Sequence, residues 1–139
     1  MISEMNLQDL ENIKGCLLTD FDNFWSYNIL KQELENGKSK YFVAKQENEI
    51  VGFAGILLII DQVNIMNIVV KKDKRNFGIG SSLLEEIIRY SKIHNATSIT
   101  LEVNEKTSQL LSYIKNMVLN KLVLEENIII MKIMLFWWT

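Results

Sequence analysis

Apolar residues recur at helical spacing early in the chain and switch to a two-residue period in its middle. Leu7, Leu10, Ile13, Leu17 and Leu18 fall on one face of an expected helix, with Asn6 placed to cap its first turn. A second helix is expected over 23–36, followed by Gly37, which suits the left-handed residue after a last helical turn. Residues 41–45 and 50–60 read as strands joined by the polar turn 46–49. A third strand, 63–70, ends in the charged segment 71–75. After Gly78-Ile79-Gly80 the helical period returns, with Leu83, Leu84, Ile87 and Ile88 on one face. Residues 98–103 make a short strand in which Thr100 and Glu102 alternate with apolar neighbours. Leu110, Leu111, Ile114 and Val118 fit another helix, and 123–138, dense in β-branched and aromatic residues, reads as strand. The order α-α-β-β-β-α-β-α-β predicts an α/β or α+β sheet with helices on both faces.

Length and charge narrow what such a sheet can do. A chain of 139 residues without a repeat or a low-complexity linker is expected to be one domain spanning 1–139. Fifteen basic against seventeen acidic side chains leave a net charge of −2, which argues against a nucleic-acid surface. The single cysteine, Cys16, rules out an internal disulfide and a Cys-rich zinc site, and no metal is expected. Charges and amides interrupt the opening residues, so no signal pattern is read there. The longest apolar stretch, 50–60, is 11 residues long and includes two glycines, too short to span a bilayer. A cytoplasmic protein without membrane contact is the expectation.

The stretch that carries chemistry is Val69-Val70-Lys71-Lys72-Asp73-Lys74-Arg75-Asn76-Phe77-Gly78-Ile79-Gly80-Ser81. A buried strand enters a basic, glycine-containing turn that opens directly into an amphipathic helix. Glycine lets a ligand approach the backbone, and the helix N-terminus adds N–H donors and partial positive charge, so the arrangement suits an anion such as a diphosphate. On these residues alone, a turn that needs glycine for steric reasons is an equal reading. The loop is not a P-loop, since no Gly-Lys-Ser/Thr follows, and it lacks the ribose-binding acid of a dinucleotide fingerprint.

The string Arg75-Asn76-Phe77-Gly78-Ile79-Gly80 resembles the R/Q-x-x-G-x-G/A loop of the GNAT acetyltransferases. Phe24-Trp25-Ser26 with Glu33-Leu34, Ile50-Val51-Gly52-Phe53, Asn67-Ile68-Val69-Val70 and Thr100-Leu101-Glu102-Val103 are similar to the ribosomal-protein-alanine N-acetyltransferases (RimI type) within that family. The likeness runs from about Asn6 to Lys106. It implies a GNAT fold: a central, mostly antiparallel twisted sheet, splayed where acetyl-CoA inserts its pantetheine arm. Ile68, Val69 and Val70 would pair with that arm, and Arg75, Asn76, Phe77, Gly78, Ile79, Gly80 and Ser81 would hold the pyrophosphate. The Val70 N–H would polarise the thioester carbonyl. The implied reaction is direct transfer of acetyl to the N-terminal α-amine of a ribosomal protein beginning in alanine. Glu102 would be the general base, against the plain reading of a solvent-facing strand carboxylate. Phe24 and Trp25 would line the acceptor wall, a role that competes equally with anchoring the first two helices.

After Lys106 the likeness stops. The family continues N-x-x-A-I-x-L-Y-x-x-x-G-F, with a cofactor-contacting asparagine and a tyrosine that protonates the leaving thiolate; here Thr107 replaces the asparagine and Tyr113 falls one residue short of the tyrosine. One residue is about 100° around a helix, which makes Tyr113 a displaced general acid or a plain helical tyrosine. Shifted by one base and with permitted codon choices, Lys106 to Leu119 can read as that pattern. Met117-Val118 must then encode glycine at the motif's position, Met131-Lys132 glutamate and Trp138-Thr139 aspartate. Residues 107–139 therefore read as an out-of-frame version of the family's C-terminal part, produced by a one-base loss near the codons of Glu105 and Lys106. The apolar tail, from Ile128-Ile129-Ile130 to Trp137-Trp138, is expected to add a strand and could join two copies in a homodimer. Two alternatives stay open: a remnant that binds CoA or self-associates without efficient catalysis, and acetylation of a small-molecule amine. His94, the one histidine, reads as a solvated cation at a helix end, and Cys16 as a small packing residue.

Overall fold

Strand alternation in Ser39–Gln46 sends Tyr41 and Val43 to one side and Phe42 and Ala44 to the other, and all four are buried. A strand apolar on both faces needs cover on both, and that need organises the molecule. The computed structural model of the chain describes residues 1–17, 19–21, 26–37, 39–75 and 77–100, and the backbone alone of 101–104 and 130–136. The elements are β1 (Ile2–Glu4), α1 (Leu7–Ile13), α2 (Tyr27–Asn36), β2 (Ser39–Gln46), β3 (Glu49–Ile59), β4 (Gln62–Val70), α3 (Ile79–Ile93), β5 (Ser98–Asn104) and β6 (Ile130–Phe136), with 3-10 turns at Lys14–Cys16 and Lys72–Lys74. Among the described residues they build one six-stranded sheet in the order β1-β2-β3-β4-β5-β6. Strands β1 to β4 are antiparallel to their neighbours, whereas β4–β5 and β5–β6 are parallel pairs. The sheet is the expected mixed, mostly antiparallel one.

Helices cover both faces. On one, Leu83, Leu84, Ile87 and Ile88 of α3 pack on Phe42, Val51, Ala54, Ile56, Val63 and Ile65. On the other, Leu10 and Ile13 of α1 and Leu30 of α2 pack with Leu17 and Phe21 on Tyr41, Val43 and Phe53. Each such side chain contributes about 1.5–3 kcal/mol on burial, so the two layers supply the main driving force for the fold.

Two sequence signals for helix ends hold, the Asn6 cap and Gly37. Asn6 Oδ1 accepts from the Asp9 N–H at 2.8 Å and Asp9 Oδ2 from the Asn6 N–H at 3.0 Å, a capping box that starts α1. The other Asp9 oxygen pairs with Lys45 Nζ at 2.9 Å and ties α1 to β2. The first helix is shorter than expected: it stops at Ile13 and tightens into the 3-10 turn around Gly15, and Leu17 reaches the core from beyond it. Gly37 closes α2 at φ +75 as expected, but the helix starts at Tyr27 rather than at 23, because Ser26 caps it there, accepting from the Ile29 N–H at 3.3 Å. Strand β1, absent from the sequence reading, is three residues of edge pairing, too short to show a period. Strand β6 appears inside the expected 123–138 segment, while the expected helix carrying Leu110, Leu111, Ile114 and Val118 lies outside the described residues. No helix among the described residues is long and apolar enough to cross a membrane.

One glycine in the sheet is fixed by its neighbour. A Cβ on Gly55 would lie 2.4 Å from the Tyr41 ring, which is itself only 1% exposed and has no room to retreat. Gly55→Ala is therefore expected to destabilise the fold by about 1–3 kcal/mol, the usual cost of overpacking, read as a lowered urea midpoint with unchanged m-value.

Candidate active site

Strand β4 pairs with β3 along its whole length but with β5 only at its start. The parallel register runs from Gln62↔Ser98 to Ile65↔Leu101 and stops. The antiparallel register shifts at the same place, between Asn67↔Gly55 and Ile65↔Ile56, so Met66 is an extra residue bulged out of β4. The bulge bends β4 away from β5, and from there β5 continues paired to β6 alone. A wedge opens between residues 66–70 of one strand and Glu102, Val103 and Asn104 of the other.

Backbone groups on β4 face into that wedge. The Lys71 N–H bonds to the Val51 carbonyl at 2.8 Å, and the Val69 carbonyl lies 3.1 Å from where a Cβ on Gly52 would sit, so residues 69 and 71 point toward β3. Alternation then aims the N–H and C=O of Ile68 and Val70 away from β3, into the gap. The Val70 carbonyl is already taken there by Arg75 Nε at 3.1 Å, which ties the basic loop to the mouth of the wedge.

The loop itself presents a helix N-terminus. Gly78 adopts φ +82, a conformation that excludes ordinary side chains, and it starts α3 without a side-chain cap or an acidic residue in the first turn. The N–H groups of such a turn lack helical carbonyl partners and carry the positive end of the helix dipole. At Gly80 an added Cβ would meet only Val70 Cγ2 at 3.7 Å, so the protein's own packing does not require glycine there. Phe77 is 73% exposed beside it. Lys71 is paired with Glu49; the shared hydrogen bond raises the pKa of the lysine and lowers that of the glutamate, holding both charged. A basic helix start without a side-chain cap, beside a strand edge unpaired among the described residues, can hold a phosphorylated ligand with an extended polar arm.

Residues 7–114 match the sequence pattern of the acetyltransferase (GNAT) family. The chain belongs to that family. It is an N-acetyltransferase, and members of the family take their acetyl group from acetyl-CoA. The chain is 30% identical over 93 residues to the [ribosomal protein bS18]-alanine N-acetyltransferase of Haemophilus influenzae, covering 66% of this chain and 62% of that one. A Bacillus subtilis (strain 168) protein that carries the same name provisionally is 26% identical over 103 residues, covering 73% of this chain and 68% of that one. Among solved structures, the ribosomal-protein-S18-alanine N-acetyltransferase of Escherichia coli superposes with a TM-score of 0.75 at 21% identity, covering 84% of this chain and 74% of that one. The PaiA N-acetyltransferase of Thermoplasma acidophilum, solved in complex with coenzyme A, superposes with a TM-score of 0.70 at 19% identity, covering 84% and 87%. At these identities the structures establish the shared fold.

The fold gathers Ile68, Val69, Val70, Arg75, Phe77, Gly78, Ile79, Gly80 and Ser81 around the mouth of the wedge, although Val69 turns its backbone to β3. Glu102 is the first β5 residue past the last β4 pair, opposite Met134 of β6, which puts its backbone where the wedge begins. Asn76, Phe24, Trp25 and Tyr113 lie outside the described residues. Sequence reasoning missed the bulge. Its signal was present: on the α3 side Val63, Ile65, Ile68 and Val70 are apolar, a spacing of two, three and two that a regular strand cannot place on one face. Two further residues have local roles. His94 stacks on Tyr90 at 4.0 Å and its Nδ1 lies 3.0 Å from the Tyr90 carbonyl at the end of α3. Burial first, then Asp20, raises the Cys16 pKa, which leaves it a protonated packing residue.

Proposed function

We propose that this N-acetyltransferase transfers acetyl from acetyl-CoA directly to the N-terminal α-amine of a protein, and that the acceptor class is a ribosomal protein starting with alanine. The observation that carries the reading is the wedge between β4 and β5, with a strand edge unpaired among the described residues on one side and a glycine-rich helix start without a side-chain cap at its mouth. In this reading the Ile68 backbone pairs with the pantetheine arm, Val70 keeps its N–H for the thioester, and the backbone from Arg75 to Ser81 holds the pyrophosphate. The acceptor nitrogen attacks the thioester carbonyl, the new C–N bond forms, and the C–S bond breaks. The Val70 N–H stabilises the oxyanion of the tetrahedral intermediate. An α-amine has a pKa of about 7.7–8.0, so Glu102 takes its proton before or during attack. The departing thiolate is protonated by solvent or by Tyr113.

The departure after Lys106 puts Thr107 where the family has its cofactor-contacting asparagine and displaces the general acid, a group that contributes typically about 10²–10⁴-fold to the rate. A cytoplasmic location and a single domain over 1–139 belong to the same reading. Self-association through the tail has no support from the relatives and is not part of it. Incubating the protein with acetyl-CoA and a peptide beginning in alanine is expected to add one acetyl group to the peptide α-amine, read by mass spectrometry. An unmodified peptide, alongside acetylated spermidine or another small amine, would assign the acceptor to that class instead.

A further inference from the structure

Tyr41, Gly55 and Asn67 stand opposite one another on β2, β3 and β4. Cross-strand partners share a face, here the face covered by α1 and α2. Gly55 has no side chain, and the Tyr41 ring occupies its place: a Cβ there would lie 2.9 Å from the Tyr41 hydroxyl oxygen. The hydroxyl is thus laid over β3 toward Asn67. The Tyr41 oxygen and both polar atoms of the Asn67 amide are buried, and among the described residues none has a hydrogen-bond partner. A folded chain rarely leaves polar atoms dry and unpaired, and neighbouring ones on one face mark a place where something else bonds them. Burial, then Glu33, raises the Tyr41 pKa, so the hydroxyl keeps its proton at physiological pH. It can exchange hydrogen bonds there without acting as a base. Glu33 itself accepts a hydrogen bond from Ser39.

Asn67 also sits between the Met66 bulge and Ile68, whose N–H opens on the wedge. On the acetyl-transfer reading, a group bound on the α1/α2 face at this point would lie beside the residue whose N–H opens on the wedge. We infer that Asn67, with the Tyr41 hydroxyl beside it, holds the first residue of a peptide acceptor and selects peptide N-termini over simple amines; the assignment rests on the acetyl-transfer reading above. An N-terminal residue offers an amine donor and, one carbon away, a carbonyl acceptor. A primary amide presents the complement, an acceptor oxygen and donor hydrogens side by side. A simple alkylamine offers donors alone and leaves the Asn67 Nδ2 unpaired, which is the kind of mismatch that binding sites discriminate strongly.

The test uses Asn67→Leu, close in volume and apolar, and Tyr41→Phe. Both are expected to keep or raise the thermal midpoint, since each removes buried unpaired atoms, and to keep the upward shift given by acetyl-CoA. Against an alanine-start peptide and propylamine, the peptide-to-alkylamine ratio of kcat/KM is expected to fall by about tenfold or more for Asn67→Leu, mainly through a raised peptide KM. For Tyr41→Phe the fall is smaller and in the same direction. An unchanged ratio overturns the assignment. So does a lowered midpoint with peptide and alkylamine losing rate in parallel, which makes the pair structural. Wild-type protein that takes the acetyl-CoA shift but acetylates neither compound overturns the acetyl-transfer reading, and the acceptor assignment with it.

Discussion

Glu102→Gln is expected to lower acetyl transfer to a peptide α-amine by about 10²–10⁴-fold at pH 7, the usual contribution of a general base. The substitution keeps the shape of the side chain and removes its ability to take a proton. The proposal assigns the proton to Glu102, whose backbone is the first of β5 past the last β4 pair, where the wedge opens. The deficit has a pH signature. Below about pH 8 the acceptor α-amine is largely protonated and a base is needed; above it the free amine dominates and the wild-type advantage shrinks. The ratio of wild-type to variant rates is therefore expected to fall as pH rises from 7 to 9, with acetyl-CoA affinity the same in both. A pH-independent ratio, or a parallel loss of cofactor affinity, would show that Glu102 supports the site rather than serving as the base.

Gly80→Asp is expected to abolish acetyl-CoA binding without weakening the fold. The position has ordinary room, with Val70 Cγ2 at 3.7 Å from the new Cβ, and it lies in the first turn of α3. An aspartate there interacts favourably with the helix dipole by about 0.3–1 kcal/mol and has a better helix propensity than glycine. In the proposed reading the same charge would face the cofactor's phosphates, and its side chain would fill the space the backbone leaves open. The variant should melt at or above the wild-type midpoint in the absence of ligand. It should then fail to move when acetyl-CoA is added. A variant that still binds the cofactor with wild-type affinity would remove the α3 N-terminus from the site.

The sheet, its two helical layers and the basic glycine turn were legible in the sequence because each is written in a local period. Alternation in β2 and the repeat of Leu83, Leu84, Ile87 and Ile88 need no tertiary information. The wedge is different in kind. It arises from one extra residue, Met66, whose effect is to end a pairing with a strand that follows more than thirty residues later in the sequence. The unpaired Asn67 and Tyr41 were hidden for a related reason: as residue types in strands they look ordinary, and their lack of partners exists only once β2, β3 and β4 lie side by side. The early end of α1 reflects Gly15, which the apolar spacing of Leu17 and Leu18 masked.

The most direct test of the account is a thermal-unfolding scan of the wild-type protein with and without acetyl-CoA, the Gly80→Asp variant serving as control. At a hundredfold excess over Kd, a ligand that binds the native state alone adds about 2.7 kcal/mol, enough to raise the midpoint by several degrees. The account predicts that rise for the wild type and none for the variant. No rise in the wild type at millimolar acetyl-CoA would mean that the wedge and the α3 N-terminus do not together form a cofactor site, and the account would be wrong at its centre.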